Sequence, residues 1–285
     1  MEISELLQQI NQKLDALIEK TSQKKDNAFF DLLKSIVLEP SYPEAVDPSL
    51  ICNTSDENDK IERATNIVEI YIEEFIENKS FLDFGCGEGH VALAALDKNP
   101  SIVKGYDIKS ENFSKKITEE KPNLLTSDWN EIAKEKYDVI LMYDVFDHLE
   151  NEDSVEVMKK IKSVLNPDGK IYARMHPFIS RHATHYYHTL NKAFVHLIFS
   201  PEELEQITGV KPEIHINKVF YPYRFYNEVF KKAKINTISS NTIENEVEPY
   251  FKENKMLMDH ITKKFNFHDV PLHQMSMSFI DFVLN

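Results

Sequence analysis

A chain of 285 residues, 42% apolar and 28% charged, has room for one large α/β domain with additions or for two modest ones. Its formal charge of −14 argues against a nonspecific grip on phosphate backbones, which needs clustered Lys and Arg. Two distant cysteines (Cys52, Cys86) make no disulfide framework, and neither a signal-peptide core nor the ~20-residue apolar run of a membrane helix is visible, so a cytoplasmic protein without a membrane partner is expected.

In chain order, Ile3, Leu7, Ile10, Leu14 and Leu17 step by four and three, a heptad seam. It predicts an amphipathic helix that either lies on its own domain or joins two copies into a homo-oligomer. TSQKKDN (21–27) breaks it, and a short helix is expected around Ala28–Leu38. Residues 39–59, with Pro40, Pro43, Pro48 and NTSDEND, read as a linker or irregular wrap. A helix follows over about Lys60–Glu77.

From Ser80 strands and helices alternate. Strand-like runs are Phe81–Phe84, Ile102–Ile108, Asn123–Ser127, Tyr137–Tyr143 and Lys170–Met175. Between them lie helical stretches at Gly89–Asp97, Asn112–Glu120, Asn130–Glu135 and Ser154–Leu165. This order predicts a parallel sheet with right-handed crossovers. PDG (167–169) reads as the turn before the fifth strand. The alternation stops after Met175, in a His-, Tyr- and Phe-rich excursion that is long for a compact fold. A helix (Tyr223–Lys234), a strand (Ile235–Ser240), a helix near Tyr250–Phe265 and a strand (Met275–Leu284) complete the pattern. The expected division is an extension and linker over 1–59 and a second domain over 60–285, with 176–222 as a lid inserted after strand five.

The chain has six glycines, and Gly85, Gly87 and Gly89 stand together in FLDFGCGEGH, between an apolar strand and a helix. A plain strand-to-helix turn needs one glycine; three indicate a tight bend against which a ligand lies. The dinucleotide fingerprint needs glycine at position 90, where His90 stands. Asp83 would repel a pyrophosphate but suits a cationic amino-acid moiety. Asp107, ending strand two, suits a pair of ribose hydroxyls. Asp128 suits an adenine amino group, and Trp129 a cover for the ring face.

Together these motifs resemble the class I S-adenosylmethionine-dependent methyltransferases over roughly residues 60–176. The matching runs are Asp83-Phe-Gly-Cys-Gly-Glu-Gly, Gly-Tyr-Asp107, Ser-Asp128-Trp, Tyr-Asp144-Val-Phe-Asp-His148 and Asn166-Pro-Asp-Gly-Lys170. The resemblance implies a Rossmann-like, seven-stranded, mostly parallel α/β sheet with helices on both faces and an antiparallel seventh strand. It implies S-adenosylmethionine as cofactor, held at its methionine end by Asp83, Gly85, Cys86, Gly87 and Gly89. The ribose falls to Asp107 with Ile108, the adenine to Asp128 and Trp129, and Tyr143 joins the same site.

Transfer requires an aligned nucleophile about 3 Å from the methyl carbon and a dry pocket. Asp144 is expected to border the methyl group, with His148 and His176 as candidate bases on the ligand-binding sheet edge. Asp147 reads as a cap or turn residue. Of eleven histidines, five (176, 182, 185, 188, 196) fall in the excursion. His182 and His185, with Arg174 and Arg181, are candidate acceptor ligands. His182, His185 and His188 step by three without a carboxylate motif, so no metal is assigned. The expected enzyme O-methylates a small molecule, a sugar or sugar-like metabolite leading, without a nucleic-acid partner. The alternatives are an inactive scaffold of the same fold and a methyltransferase acting on protein or RNA.

Overall fold

The computed structural model describes residues 26–285 except 73–75, 150, 213–217, 245–247 and 267–271. The heptad seam at residues 3–17, and any self-association through it, lie outside the described residues.

Seven strands form one sheet: β1 (Ser80–Phe84), β2 (Ile102–Tyr106), β3 (Leu125–Thr126), β4 (Tyr137–Tyr143), β5 (Leu165–Met175), β6 (Thr237–Glu244) and β7 (Met277–Leu284). Their order is β3-β2-β1-β4-β5-β7-β6, with β7 antiparallel to both neighbours and the pairings among β1 to β5 parallel. The fold is thus the Rossmann-like α/β arrangement that the alternation and the resemblance imply. The order reverses between β1 and β4, and the crevice at such a reversal is where open α/β sheets bind ligands.

Alternate residues of the central strands feed opposite cores, as the two-residue strand period requires. Phe81, Val139 and Leu141 pack against Ile67 and Val68 of the helix Glu57–Tyr71. Leu82, Ile140 and Met142 join Met158 and Ile161 of the helix Asn151–Val164 and Val229 and Phe230 of the helix Pro222–Ala233. The sheet is therefore covered on both faces.

Several boundaries differ from the expected ones for local reasons. The side chain of Asp56 accepts from the backbone N–H groups of Asn58 and Asp59, so the helix expected from Lys60 starts at Glu57. PDG forms an irregularity inside β5 rather than a turn before it, because Leu165 already pairs with Tyr137 and pairing resumes at Lys170 and Val139. The helix expected over Tyr250–Phe265 is two helices, Glu248–Glu253 and Lys255–Lys264, interrupted at Asn254, whose amide donates to the Tyr250 carbonyl.

The excursion after β5 carries a core of its own. Phe178, Phe194, Leu197 and Phe199 are buried with Leu33 and Val37 of a helix over 26–37, and with Phe251, Leu257 and Ile261 from beyond β6. The wrap at 39–46 is tied to this unit. Buried Tyr42 donates its hydroxyl to the Ala193 carbonyl at 2.9 Å, and Asn191 bonds both the N–H and the carbonyl of Val46. Among the described residues no helix is long and apolar enough to cross a membrane.

Candidate active site

The bend after β1 has positive φ at all three glycines: 78° at Gly85, 52° at Gly87 and 94° at Gly89. Two of them are also close approaches. A Cβ on Gly85 would lie 2.4 Å from a Val145 methyl, and one on Gly89 would lie 2.5 Å from a Leu125 methyl. Gly87 faces open space, with no atom within 4 Å of where its Cβ would stand. The bend is fixed from outside. Lys60 of the preceding helix grips both Glu88 carboxylate oxygens at 2.8 and 2.9 Å, and His90 meets Glu57 at 3.2 Å. Glu57, Glu88 and His90 are close enough for a metal ion, yet Lys60 already neutralises Glu88.

The acids stand around this bend. Asp83 is buried, and its Oδ2 has no hydrogen-bond partner. Burial, assisted by the Asp107 charge, raises its pKa to about 7, while a backbone hydrogen bond from Ala92 pulls the other way. Asp107 is half-buried; its oxygens accept from the Gly87 N–H at 3.0 Å and the Lys109 N–H at 2.9 Å, coupling the tip of β2 to the bend. Ile108 beside it is exposed. Asp128 caps the helix Trp129–Ile132, accepting from the Asn130 N–H at 2.9 Å, and remains exposed. Trp129 meets Tyr106 edge-on at 5.4 Å, and Tyr106 stacks on Phe84 at 5.3 Å. The Cys86 thiol is packed over Gly105, where a Cβ would meet its Sγ at 3.0 Å, and burial pushes its pKa up.

A cradle with an orphaned, buried carboxylate at one end, bare backbone in the middle and an ordered second carboxylate at the other fits a ligand with a cationic end and a hydroxylated one. S-adenosylmethionine has both. The loop after β4 joins this cradle to a cavity, since Val145 packs on Gly85 while Asp144 lines the cavity.

That cavity holds about 1500 Å³. Its floor is made by Tyr143, Asp144, Arg174, His176, His182 and His185, and one wall is the wrap at 43–52. Asp144 takes a left-handed φ of 54°, which short polar residues tolerate. Its carboxylate lies 3.6 Å from Arg174 Nε and 3.9 Å from Arg63 Nη2. Arg174 also donates to the Tyr143 hydroxyl and lies 3.4 Å above the Phe279 ring. Burial, with Asp144 adding to it, pushes the Tyr143 phenol up to about 12.

The histidines are brought together. His176 is fully buried, 4.3 Å from the His182 ring and 5.2 Å from that of His185, and neither of its ring nitrogens has a partner. Burial, and next the neighbouring imidazoles, lower all three: His176 well below the usual range, His182 to about 3 and His185 to about 4. They are neutral at pH 7. His148 stands outside the cavity lining and stacks on His185 at 6.5 Å. His196 is structural, bonded to the Phe178 carbonyl at 2.8 Å. Arg181 donates to the Glu44 carbonyl and so clamps the wrap.

Asp147 lies in the 3₁₀ turn Phe146–His148, in line with the cap-or-turn expectation, but it does not face solvent. It is buried, its Oδ1 accepts from the His176 N–H at 3.3 Å, and its Oδ2 has no hydrogen bond but lies 3.9 Å from His148 Nε2. Burial, then the Asp144 charge, raises its pKa to about 8. The residue reading also missed Arg63 and Phe279, which complete the cavity around Asp144 and Arg174.

Comparison with known proteins places this geometry in a family. Residues 55–210 match the model of a methyltransferase domain. A tRNA U34 carboxymethyltransferase of Nautilia profundicola is 30% identical over 115 residues, which span 37% of this chain and 36% of that protein. A protein of Pyrococcus horikoshii OT3 is similar at 16% identity and a TM-score of 0.48, covering 87% of this chain and 96% of its own. A SAM-dependent methyltransferase of Archaeoglobus fulgidus gives 15% identity and 0.48, covering 79% and 93%. The chain belongs to the methyltransferase-domain family, the class I enzymes that use S-adenosylmethionine.

Proposed function

We propose that the enzyme methylates a hydroxyl group of a small, polyhydroxylated molecule. The observation that carries this reading is the junction between the glycine cradle and a cavity floored by neutral imidazoles, of which both His176 ring nitrogens and His182 Nδ1 have no hydrogen-bond partner. In this reading Asp83 and the 85–89 backbone hold the methionine end of the cofactor, Asp107 the ribose, and Asp128 with Trp129 the adenine. Bound there, the cofactor supplies an electrophilic methyl carbon.

The chain's own residues then orient the acceptor. A neutral imidazole offers one donor and one acceptor nitrogen, the complement of a hydroxyl. His176, His182 and His185 stay in that state because their depressed pKa values lie far below pH 7. Such weakly basic rings suit alignment better than proton removal. His148, outside the lining and 3.9 Å from Asp147, is the stronger candidate base once the acceptor is seated. Asp144, between two guanidinium groups, fixes Arg174 and borders the methyl group. Residues 176–222 serve as a lid that excludes water, braced by the wrap at 39–46.

Calorimetry with S-adenosylhomocysteine tests the cofactor half: micromolar-range binding is expected. Asp107→Ala should weaken it about tenfold or more, as for a lost hydrogen bond to a charged group. Folded protein that binds no S-adenosylhomocysteine would defeat the reading. A macromolecular acceptor is the second reading, supported by the tRNA-directed relative. The charge of −14 opposes it.

A further inference from the structure

The cavity is larger than its polar floor requires. Sites for small ligands hold about 300–1,000 Å³, and this one holds about 1500 Å³. The remaining space has a different chemistry. Leu50 and Ile70 are each 74% exposed and Ile243 is 41% exposed, and all three line this cavity. They come from three separate elements: the 3₁₀ turn Pro48–Leu50, the helix Glu57–Tyr71 and strand β6. Large aliphatic side chains are ordinary on a surface when scattered; brought together from three elements at one opening they mark a contact site. Half-buried Ile51 and buried Ile67 extend the apolar strip.

Resting on the acceptor reading above and deepening it, we infer that the acceptor is an amphiphile. Its hydroxylated head lies against His182 and His185, and its apolar tail runs out past Leu50, Ile70 and Ile243. The charges favour a neutral head. Five carboxylates line the cavity (Glu44, Asp47, Asp59, Glu62, Asp144) against three arginines, which opposes an anionic one. Arg174 already donates to the Tyr143 hydroxyl and faces Asp144, and Arg181 donates to the Glu44 carbonyl, so each guanidinium is partly committed within the protein. The guanidinium groups of Arg63 and Arg174 beside the floor oppose a cationic head. What remains is a hydroxyl-rich head on an alkyl, acyl or aryl tail.

The probe is n-octyl β-D-glucoside, titrated below its micelle threshold into full-length protein with S-adenosylhomocysteine present, beside D-glucose as the head alone. Saturable glucoside binding is expected, with glucose at least about tenfold weaker, the contribution of burying a few methylenes. Leu50→Asp and Ile70→Asp, both exposed and outside the cofactor cradle, should each weaken the glucoside about tenfold and leave S-adenosylhomocysteine affinity unchanged. Equal affinities for glucose and glucoside, or glucoside binding indifferent to both variants, overturn the inference. So does a titration without saturable glucoside binding, as when a second copy of the chain fills the opening. Failure of S-adenosylhomocysteine itself to bind wild-type protein would strike the cofactor reading instead, so the two are separable.

Discussion

Asp83 is the residue at which stability and ligand binding pull apart. An unfolded aspartate titrates near 3.9, and in the folded chain burial raises this one to about 7. The folded state therefore holds the proton more tightly. Its stability is full below about pH 4, falls as pH rises through 7, and is flat above, a loss on the order of 4 kcal/mol. Asp83→Asn should raise the thermal midpoint at pH 8 and change it little at pH 4, as scanning calorimetry would reveal. A cationic ligand end facing the carboxylate lowers its pKa again, so S-adenosylhomocysteine binding near pH 7 should release a proton from wild type and none from Asp83→Asn. Binding enthalpies measured in buffers of different ionisation enthalpy report that proton, and identical enthalpies would defeat the assignment. Residues of this kind were legible because scarcity marked them: three of six glycines fall within five positions. The same signal was present for the cavity, since three of the chain's four arginines (63, 174, 181) line it. Arg63 went unnoticed because it lies in an amphipathic helix far upstream, where a lone arginine looks like solvated surface. Asp147 sits in the expected turn, but its burial beside His176 was not legible, because a 3₁₀ turn after a strand normally faces water.

At the scale of elements, local patterning resolved the strands whose neighbours are regular and failed where distant segments decide. β4 has the expected limits because alternate residues face two apolar cores, so its period is set along the whole run. The excursion after β5 had no such period. Its four-residue helix Val195–Ile198, entirely buried, is held by residues more than a hundred positions away at 33–46 and by the helices after β6. The helices Pro201–Thr208 and Lys255–Lys264 of this unit each bury only one or two residues, so the core exists only when remote pieces meet. Tyr42 is the test of that dependence. It is 2% exposed, meets Tyr250 edge-on at 5.1 Å and hydrogen-bonds Ala193. Tyr42→Ala should cost about 3–5 kcal/mol within this unit, as large-to-small aromatic changes in cores do. Amide exchange should then quicken across 176–199 while S-adenosylhomocysteine affinity stays largely unchanged, because the cradle belongs to the sheet. Uniform loss of protection, or loss of cofactor affinity in proportion, would mean that the excursion and the sheet unfold as one body.

For the whole molecule, the fold leaves the acceptor open, since one sheet order serves acceptors of many kinds. The relative from Nautilia profundicola acts on tRNA, but the shared stretch spans 36% of its length, and substrate contacts can lie in the remainder. Charge speaks to the difference. A protein that grips a phosphate backbone releases counterions through clustered Lys and Arg, and its affinity falls steeply with salt. This chain has 33 basic against 47 acidic residues, and three of its four arginines line one cavity, where Arg174 and Arg181 are already engaged. Long-range steering at −14 repels polyanions. Filter binding of total tRNA at about 150 mM salt should therefore give dissociation constants weaker than about 100 μM, below the ordinary nonspecific range. Low-micromolar retention that declines steeply between about 50 and 200 mM salt would move the acceptor from small molecules to RNA.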